Sequence, residues 1–421
     1  ANNFVISDDD FQRNIEGDQN FIACHSALKN LTTGKANIAI GYTAGNNLVS
    51  GSQNIIMGYE AARTVTSVNE AIIIGHNALK MGDKIGAGIT AIGQYAMSNA
   101  HTREDGLFPE YVTAVGLGAG GGDTVFCNRA VLIGDNAGAN VPDRVHYTVC
   151  VGCGAGMGCG NIYRSVLAGV NAGKNSANIQ NSVGIGNYVM WSQSGEGEHR
   201  STHVGTVAIG EFAVDNLGSR ATLYRNVIGV GNHTMRYHNF DELINAVGIG
   251  YNVGVSGSNQ FQLGNSDNTV YAYGSIQNRS DERDKANIRD IEYPYKEFIL
   301  GLRPVTFQWD YREDYMRDKD GTSEPVVAHI NDIVRDGSHI RSRRHNGFIA
   351  QEVKELMDSL GFDFAGYQDH SVNGGDDVLS LGYSEFIAPM VKMIQEQQKT
   401  ISTLEEKVDQ LTMIIKQIQE K

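Results

Sequence analysis

The feature that most constrains this chain is a glycine-centred repeat. Two or three apolar residues are followed by a glycine, two variable residues and usually an alanine, as in Ile38-Ala-Ile-Gly-Tyr-Thr-Ala44, Ile55-Ile-Met-Gly-Tyr-Glu-Ala61 and Ile72-Ile-Ile-Gly-His-Asn-Ala78. The anchor glycines are Gly41, Gly58, Gly75, Gly93, Gly116, Gly134, Gly152, Gly169, Gly186, Gly210, Gly231, Gly250 and Gly264. By subtraction their spacings are 17, 17, 18, 23, 18, 18, 17, 17, 24, 21, 19 and 14. One more unit precedes them, with Cys24 in the glycine slot, 17 residues before Gly41. A repeat of this length identifies one supersecondary unit per period, stacked on its neighbours.

Each apolar triplet is too short for a helix and is rich in β-branched residues, so it reads as a strand. The glycine permits a sharp turn or a close backbone approach. The alanine three residues later indicates a crowded position. A single unit cannot bury its own apolar face, so neighbouring coils must supply the core. The expected fold is mostly β: a parallel β-roll or β-helix fibre of about 17-residue repeats over 20–265, then an α+β domain ending in a coiled coil. The array resembles the head repeats of trimeric autotransporter adhesins, with a longer period here, and that resemblance implies a trimer. A monomeric solenoid is the alternative, disfavoured because leucine and phenylalanine are sparse in the array.

Fifty glycines against six prolines fit repeated tight turns. A hydrophobic content of 41% excludes wholesale disorder. The net charge of −14 argues against nucleic acid as a partner. No run of eighteen apolar residues is present, so no membrane-spanning helix is expected. The opening Ala-Asn-Asn carries neither Met nor a signal pattern. A longer protein is therefore expected, with residues 1–19 connecting to an upstream shaft. The five cysteines do not form a disulfide framework. Cys150, Cys153 and Cys159 cluster, but they lack an evident fourth ligand and follow the repeat register, so small core residues are expected rather than a metal site. No cofactor is expected.

Where the period lengthens, loops should protrude, and loops on a rigid scaffold tend to carry binding. Candidate receptor contacts are Tyr188, Trp191, His199, Phe212, Tyr224 and Tyr237. Aromatic side chains among polar neighbours suit stacking on a sugar; packing of the loop against the next coil is the alternative. Glu196 and Glu198 sit in the same longest interval. A glycosidase pair would need a carboxylate separation that spacing alone does not supply.

The composition changes at Asn278-Arg-Ser-Asp-Glu-Arg-Asp-Lys285. Residues 269–275 read as a last strand, and residues 266–280 as a linker. Ser280 and Lys285 suit a nucleophile and base pair, in which a neutral amine takes the hydroxyl proton; Lys285 must be desolvated to lose its own. A polar linker with Ser280 as a cap is the bland reading. From here the chain resembles the C-terminal intramolecular chaperone domain of phage tailspikes and tail fibres, including endosialidases. The resemblance rests on Ser280-Asp-Glu-Arg-Asp-Lys285, Leu302-Arg-Pro-Val-Thr-Phe-Gln-Trp309, Gly347-Phe-Ile-Ala-Gln-Glu-Val353, Leu379-Ser-Leu-Gly-Tyr383 and the terminal heptads.

The resemblance implies a chaperone over 281–421 that trimerises, folds its fibre and then releases itself. Ser280 would be the nucleophile, Lys285 its base, and Ser280–Asp281 the bond cut; chemistry alone would equally allow Arg279–Ser280. It further implies a homotrimer in a virion tail, assembled in the host cytoplasm and joined to upstream tail or baseplate proteins. Its target would be a host polysaccharide or an outer-membrane receptor. Alternatives are a capsule depolymerase and a bacterial surface adhesin. Within 281–421, helices are expected at 293–300 and 348–360. A coiled coil is expected at 384–420, with Ile394, Ile401, Val408 and Ile415 at a positions and Gln397, Leu404, Leu411 and Ile418 at d. Ile or Val at a with Leu at d favours two strands in isolation, in conflict with a trimer. Pro389 should start or kink this helix. His345 could assist cleavage or be structural.

Overall fold

The computed structural model describes residues 2–7, 15–82, 84–100, 106, 108–122, 126–192, 200–215, 222–235, 240–315, 333–373 and 377–420. The chain divides into two compact units, Ala1–Val270 and Tyr271–Lys421. The first is a parallel β-solenoid. Each apolar triplet forms a three-residue strand that pairs in register with the same triplet one coil on: Ile38–Ile40 with Ile55–Met57, then Ile72–Ile74, and on to Val247–Ile249 and Phe261–Leu263. A second ladder begins where Glu110 pairs with Asn128 of Cys127–Ile133 and runs through Val145–His146, Ile162–Tyr163, Asn178–Gln180, Thr202–Val204, Leu223–Arg225 and Glu242–Ile244.

Alternation along each triplet decides what is buried. The central residue points inward, and Ile22, Ala39, Ile56, Ile73, Ala91, Leu132, Cys150 and Leu167 are fully buried. The alanines after the glycine, such as Ala44, Ala61, Ala78 and Ala137, are buried as well. In later coils the central residue is itself a glycine, and neighbouring side chains occupy the space. A Cβ at Gly184 would meet Val189 and Met190, and one at Gly229 would meet Val214.

The anchor glycines are required twice over. Gly58, Gly75, Gly134 and Gly152 have φ between 132 and 142, a region open to glycine. A Cβ on any of them would also fall under 3.0 Å from the carbonyl of the next glycine in the column. Cys24, the one non-glycine in this slot, has φ 84. Polar side chains stack in step with the coils. Asn37 Nδ2 donates to Asn20 Oδ1 at 2.9 Å, and Asn54 Nδ2 to Asn37 Oδ1 at 2.9 Å, so these buried amides satisfy one another.

The last strand is Phe261–Leu263. The strand expected at 269–275 is absent: those residues are extended and exposed, with Tyr271 and Tyr273 in solvent. Tyr271-Ala-Tyr-Gly274 repeats the triplet-and-glycine pattern, but a Cβ at Gly274 would meet nothing within 4 Å, so no coil lies against it.

The second unit is small. Helix α1 (Tyr295–Gly301), helix α2 (Ala350–Leu360) and the start of helix α3 (Ile387–Gln419) enclose one core of Phe298, Val353, Met357, Phe364 and Phe386. Two hairpin-like sheets flank it, Val305–Gln308 with Arg344–Gly347 and Tyr367–Asp369 with Leu379–Leu381, both antiparallel. Helix α3 begins at Ile387, with Pro389 in its first turn, where a missing N–H costs no helical hydrogen bond. Beyond that turn the heptad seam is bare: Ile394, Ile401, Leu404, Val408, Leu411, Ile415 and Ile418 are all exposed. Among the described residues no helix is long and apolar enough to cross a membrane.

Candidate active site at Ser280 and Lys285

The site is built by one short turn. Asp281 caps the 3-10 helix Glu282–Asp284, its carboxylate accepting the Arg283 N–H at 2.9 Å, and the Lys285 N–H returns to the Glu282 carbonyl at 3.0 Å. This turn folds Lys285 back onto the residue just before the cap. Lys285 Nζ donates to Ser280 Oγ at 2.7 Å. Two ion pairs hold the segment on either side of the serine: Arg279 Nε to Asp284 Oδ2 at 2.6 Å, and Arg283 on both oxygens of Asp281. The Arg283 guanidinium and backbone N–H keep the Asp281 carboxyl below its usual range.

The hydrogen bond runs from Nζ to the hydroxyl oxygen, the reverse of what nucleophile activation needs. Lys285 and Ser280 are both exposed, so nothing among the described residues desolvates the amine. The geometry of a dyad is present without the environment that would activate it. His345 packs against Phe307 and Trp309 in the small sheet, with ring centres 6.0 and 6.3 Å apart.

The expected receptor contacts divide three ways. Tyr188 and Phe212 are half-buried and stack on each other, with centres 5.1 Å apart and planes at 11°. Trp191 meets the Tyr188 ring edge-on at 5.6 Å. The stack continues from Phe212 to His233 and Tyr251. Only Tyr188 and Phe212 cover each other's faces; His233 meets Phe212 at 80° and Tyr251 at 31°. Tyr224 is corrected: it is fully buried and stacks flat on His203 at 4.8 Å, which removes it from the surface. A long interval in the sequence does not place all its residues in a protruding loop; Tyr224 belongs to the second ladder and points inward. His199 and Tyr237, with Glu196 and Glu198, lie outside the described residues.

The cysteines pack into the repeat. Cys127, Cys150 and Cys159 are buried, and burial pushes the Cys127 and Cys159 thiols up to about 12. Such thiols are unreactive. Cys153 is exposed.

Comparison with known proteins meets this geometry at one place. Residues 280–362 match the family model Peptidase_S74, described as chaperone of endosialidase, and the match begins at the serine of the dyad. Comparisons with curated proteins and with solved structures give no match. The chain therefore joins a β-solenoid to a segment similar to the chaperone of endosialidase.

Proposed function

We propose that this chain is the tip of a phage tail fibre or tailspike, whose C-terminal unit assembles the solenoid into a homotrimer and then separates from it by self-cleavage. The observation that carries this reading is the 2.7 Å Lys285–Ser280 contact at the first residue of the matched segment.

Two unpartnered apolar surfaces support the assembly step. Outward-facing residues of the first ladder form columns of Ile and Val along the solenoid. Ile38, Ile72, Ile133, Val166, Ile209 and Ile249 all stay at roughly two-fifths exposure, from 37% to 40%. A continuous apolar face of this length marks an interaction surface, and copies of the same chain supply a matching one. The bare heptad of α3 is the second surface. The likeness of the repeats to trimeric autotransporter heads agrees with three copies.

Assembly would also supply what the dyad lacks. Packing of neighbouring chains over Ser280 and Lys285 removes water from the amine and favours its neutral form, so the hydroxyl proton can pass to Nζ. Cleavage after Ser280 consumes one water and leaves a carboxylate on Ser280 and an amine on Asp281. Attack of Ser280 Oγ on its own carbonyl carbon would close a strained β-lactone. The dyad therefore acts on a neighbouring chain's carbonyl or activates a water. Cleavage before Ser280 would instead follow an N-to-O acyl shift.

The test is gel analysis with terminal mass determination of wild type, Ser280→Ala and Lys285→Ala. Wild type should yield two fragments, the first ending at Ser280, and both variants should stay whole. Equal cleavage in Ser280→Ala would sink the dyad, and a first fragment ending at Arg279 would move the cut.

A further inference from the structure

One corner of the solenoid carries charge against the trend of the chain. Where the second ladder bends into the first, each coil places one residue in the left-handed region. On four consecutive coils these are Tyr111, Arg129, Tyr147 and Arg164, with φ from 48 to 53. The register sets Asn128 beside His146 and His146 beside Tyr163, so the residues that follow fall in one column. The Arg129 guanidinium lies between the rings of Tyr111 and Tyr147, 5.5 and 5.6 Å from their centres. Arg144 and Arg164 both lie over the ring of Tyr163, at 5.1 and 4.7 Å.

A purely structural cation–π ladder accounts for Arg129, which is sandwiched and paired with Glu110 at 2.9 Å. It does not give the other two arginines a close carboxylate. Arg144 donates from Nε to Asn161 Oδ1 at 3.3 Å and reaches Asp143 only at 4.0 Å. Arg164 is exposed and has no carboxylate partner among the described residues. His146 stacks on Tyr147 at 4.2 Å, and its Nε2 is buried without a hydrogen-bond partner. Burial first, then the fields of Arg144, Arg129 and Arg164, hold this imidazole below its ordinary range against the opposing field of Glu110. Flat contact with a ring fixes each guanidinium and lowers the entropy cost of using its N–H edge.

We propose that this corner binds an acidic saccharide, with Arg144 and Arg164 taking a sugar carboxylate and the phenol hydroxyls of Tyr147 and Tyr163 bonding to ring hydroxyls. This rests on the receptor-binding reading of the solenoid. A chain of net charge −14 with only two arginines free of a close carboxylate here suits the sparse charge of an acidic glycan better than the dense phosphates of nucleic acid.

The test titrates the full chain with a uronic-acid oligomer, a neutral glucose oligomer and a phosphorylated glucose oligomer of equal length. The uronate should bind, weaken with added salt, and weaken at least tenfold in the double variant Arg144→Gln, Arg164→Gln, with assembly and melting unchanged; the neutral oligomer should not bind. Equal binding of neutral and uronate oligomers, no binding of either anionic one, or unchanged affinity in the double variant overturns the proposal. Tighter binding of the phosphorylated oligomer overturns the carboxylate assignment, and loss of assembly in the variant overturns it in favour of a subunit contact. Adsorption of labelled fibre to cells separates the two readings: equal adsorption of wild type and variant removes this site alone, whereas no adsorption to any cell surface tested removes the receptor-binding role itself.

Discussion

The solenoid and the C-terminal unit are incomplete in opposite ways. The solenoid is filled inside, with backbone hydrogen bonds passing from coil to coil and a continuous core that mixes Ile, Leu and Val with Ala. Its outer first-ladder face is apolar and open. The C-terminal unit has little inside, a core of five buried residues, and extends a helix of 33 residues with its apolar seam bare. One region is built by repetition and leaves an apolar face open; the other has a small core and leaves an apolar helix seam open. That difference fits the proposed roles of product and assembling tool, since coil-on-coil repetition lets the solenoid hold its fold along its length.

The largest expected effect falls on the seam. Ile401→Asp with Val408→Asp puts charges at two a positions, and should turn the assembly into monomers in light scattering and leave the chain uncut. Retained trimer would shift the assembly burden to the solenoid face. Next comes the glycine column. Gly134→Val forces a β-branched residue to φ 132 and against the Gly152 carbonyl, a cost on the order of 4 kcal/mol or more from strain and overpacking. Gly254, where an added Cβ meets nothing within 4 Å, is the control: Gly254→Ala should melt like wild type. A third variant, Phe298→Ala, removes the centre of the small core at about 3–5 kcal/mol; calorimetry should show the C-terminal transition moving while the solenoid transition stays.

The smallest effect sharpens the contrast through pH. His203 is buried against Tyr224 with neither ring nitrogen hydrogen-bonded among the described residues, and burial pulls its imidazole down to about 3. An unfolded histidine titrates near 6.5. Between those values the unfolded chain binds the extra proton. Solenoid stability should therefore be whole above about pH 6.5 and fall toward pH 3, by at most about 1.4 kcal/mol per unit. His203→Phe should flatten that slope in melts between pH 6 and 4; an unchanged slope would assign it to other groups.

What the sequence disclosed followed from how local each rule is. A glycine demanded by both φ and a neighbouring carbonyl recurs at a fixed place, so the first ladder and its register could be read directly. Pairs such as Val145–His146 and Ile162–Tyr163 carry no such marker, so the second ladder went unseen, and Tyr224 was set on the surface when it is core. The tyrosine and arginine corner escaped for the same reason, since Tyr111, Arg129, Tyr147 and Arg164 become neighbours only through that ladder. Ser280 and Lys285 were legible because a capped single turn is a local structure. Their exposure was not, because desolvation depends on chains that a single sequence does not display.

The most direct test of the central claim is the native mass of wild type and Ser280→Ala, purified side by side. Wild type should give a trimer of solenoid chains ending at residue 280, with the 141-residue remainder, by subtraction from 421, as a separate species. Ser280→Ala should give a trimer of whole chains. Whole monomers from both proteins would contradict the claim that the C-terminal unit assembles the fibre and then cuts itself away.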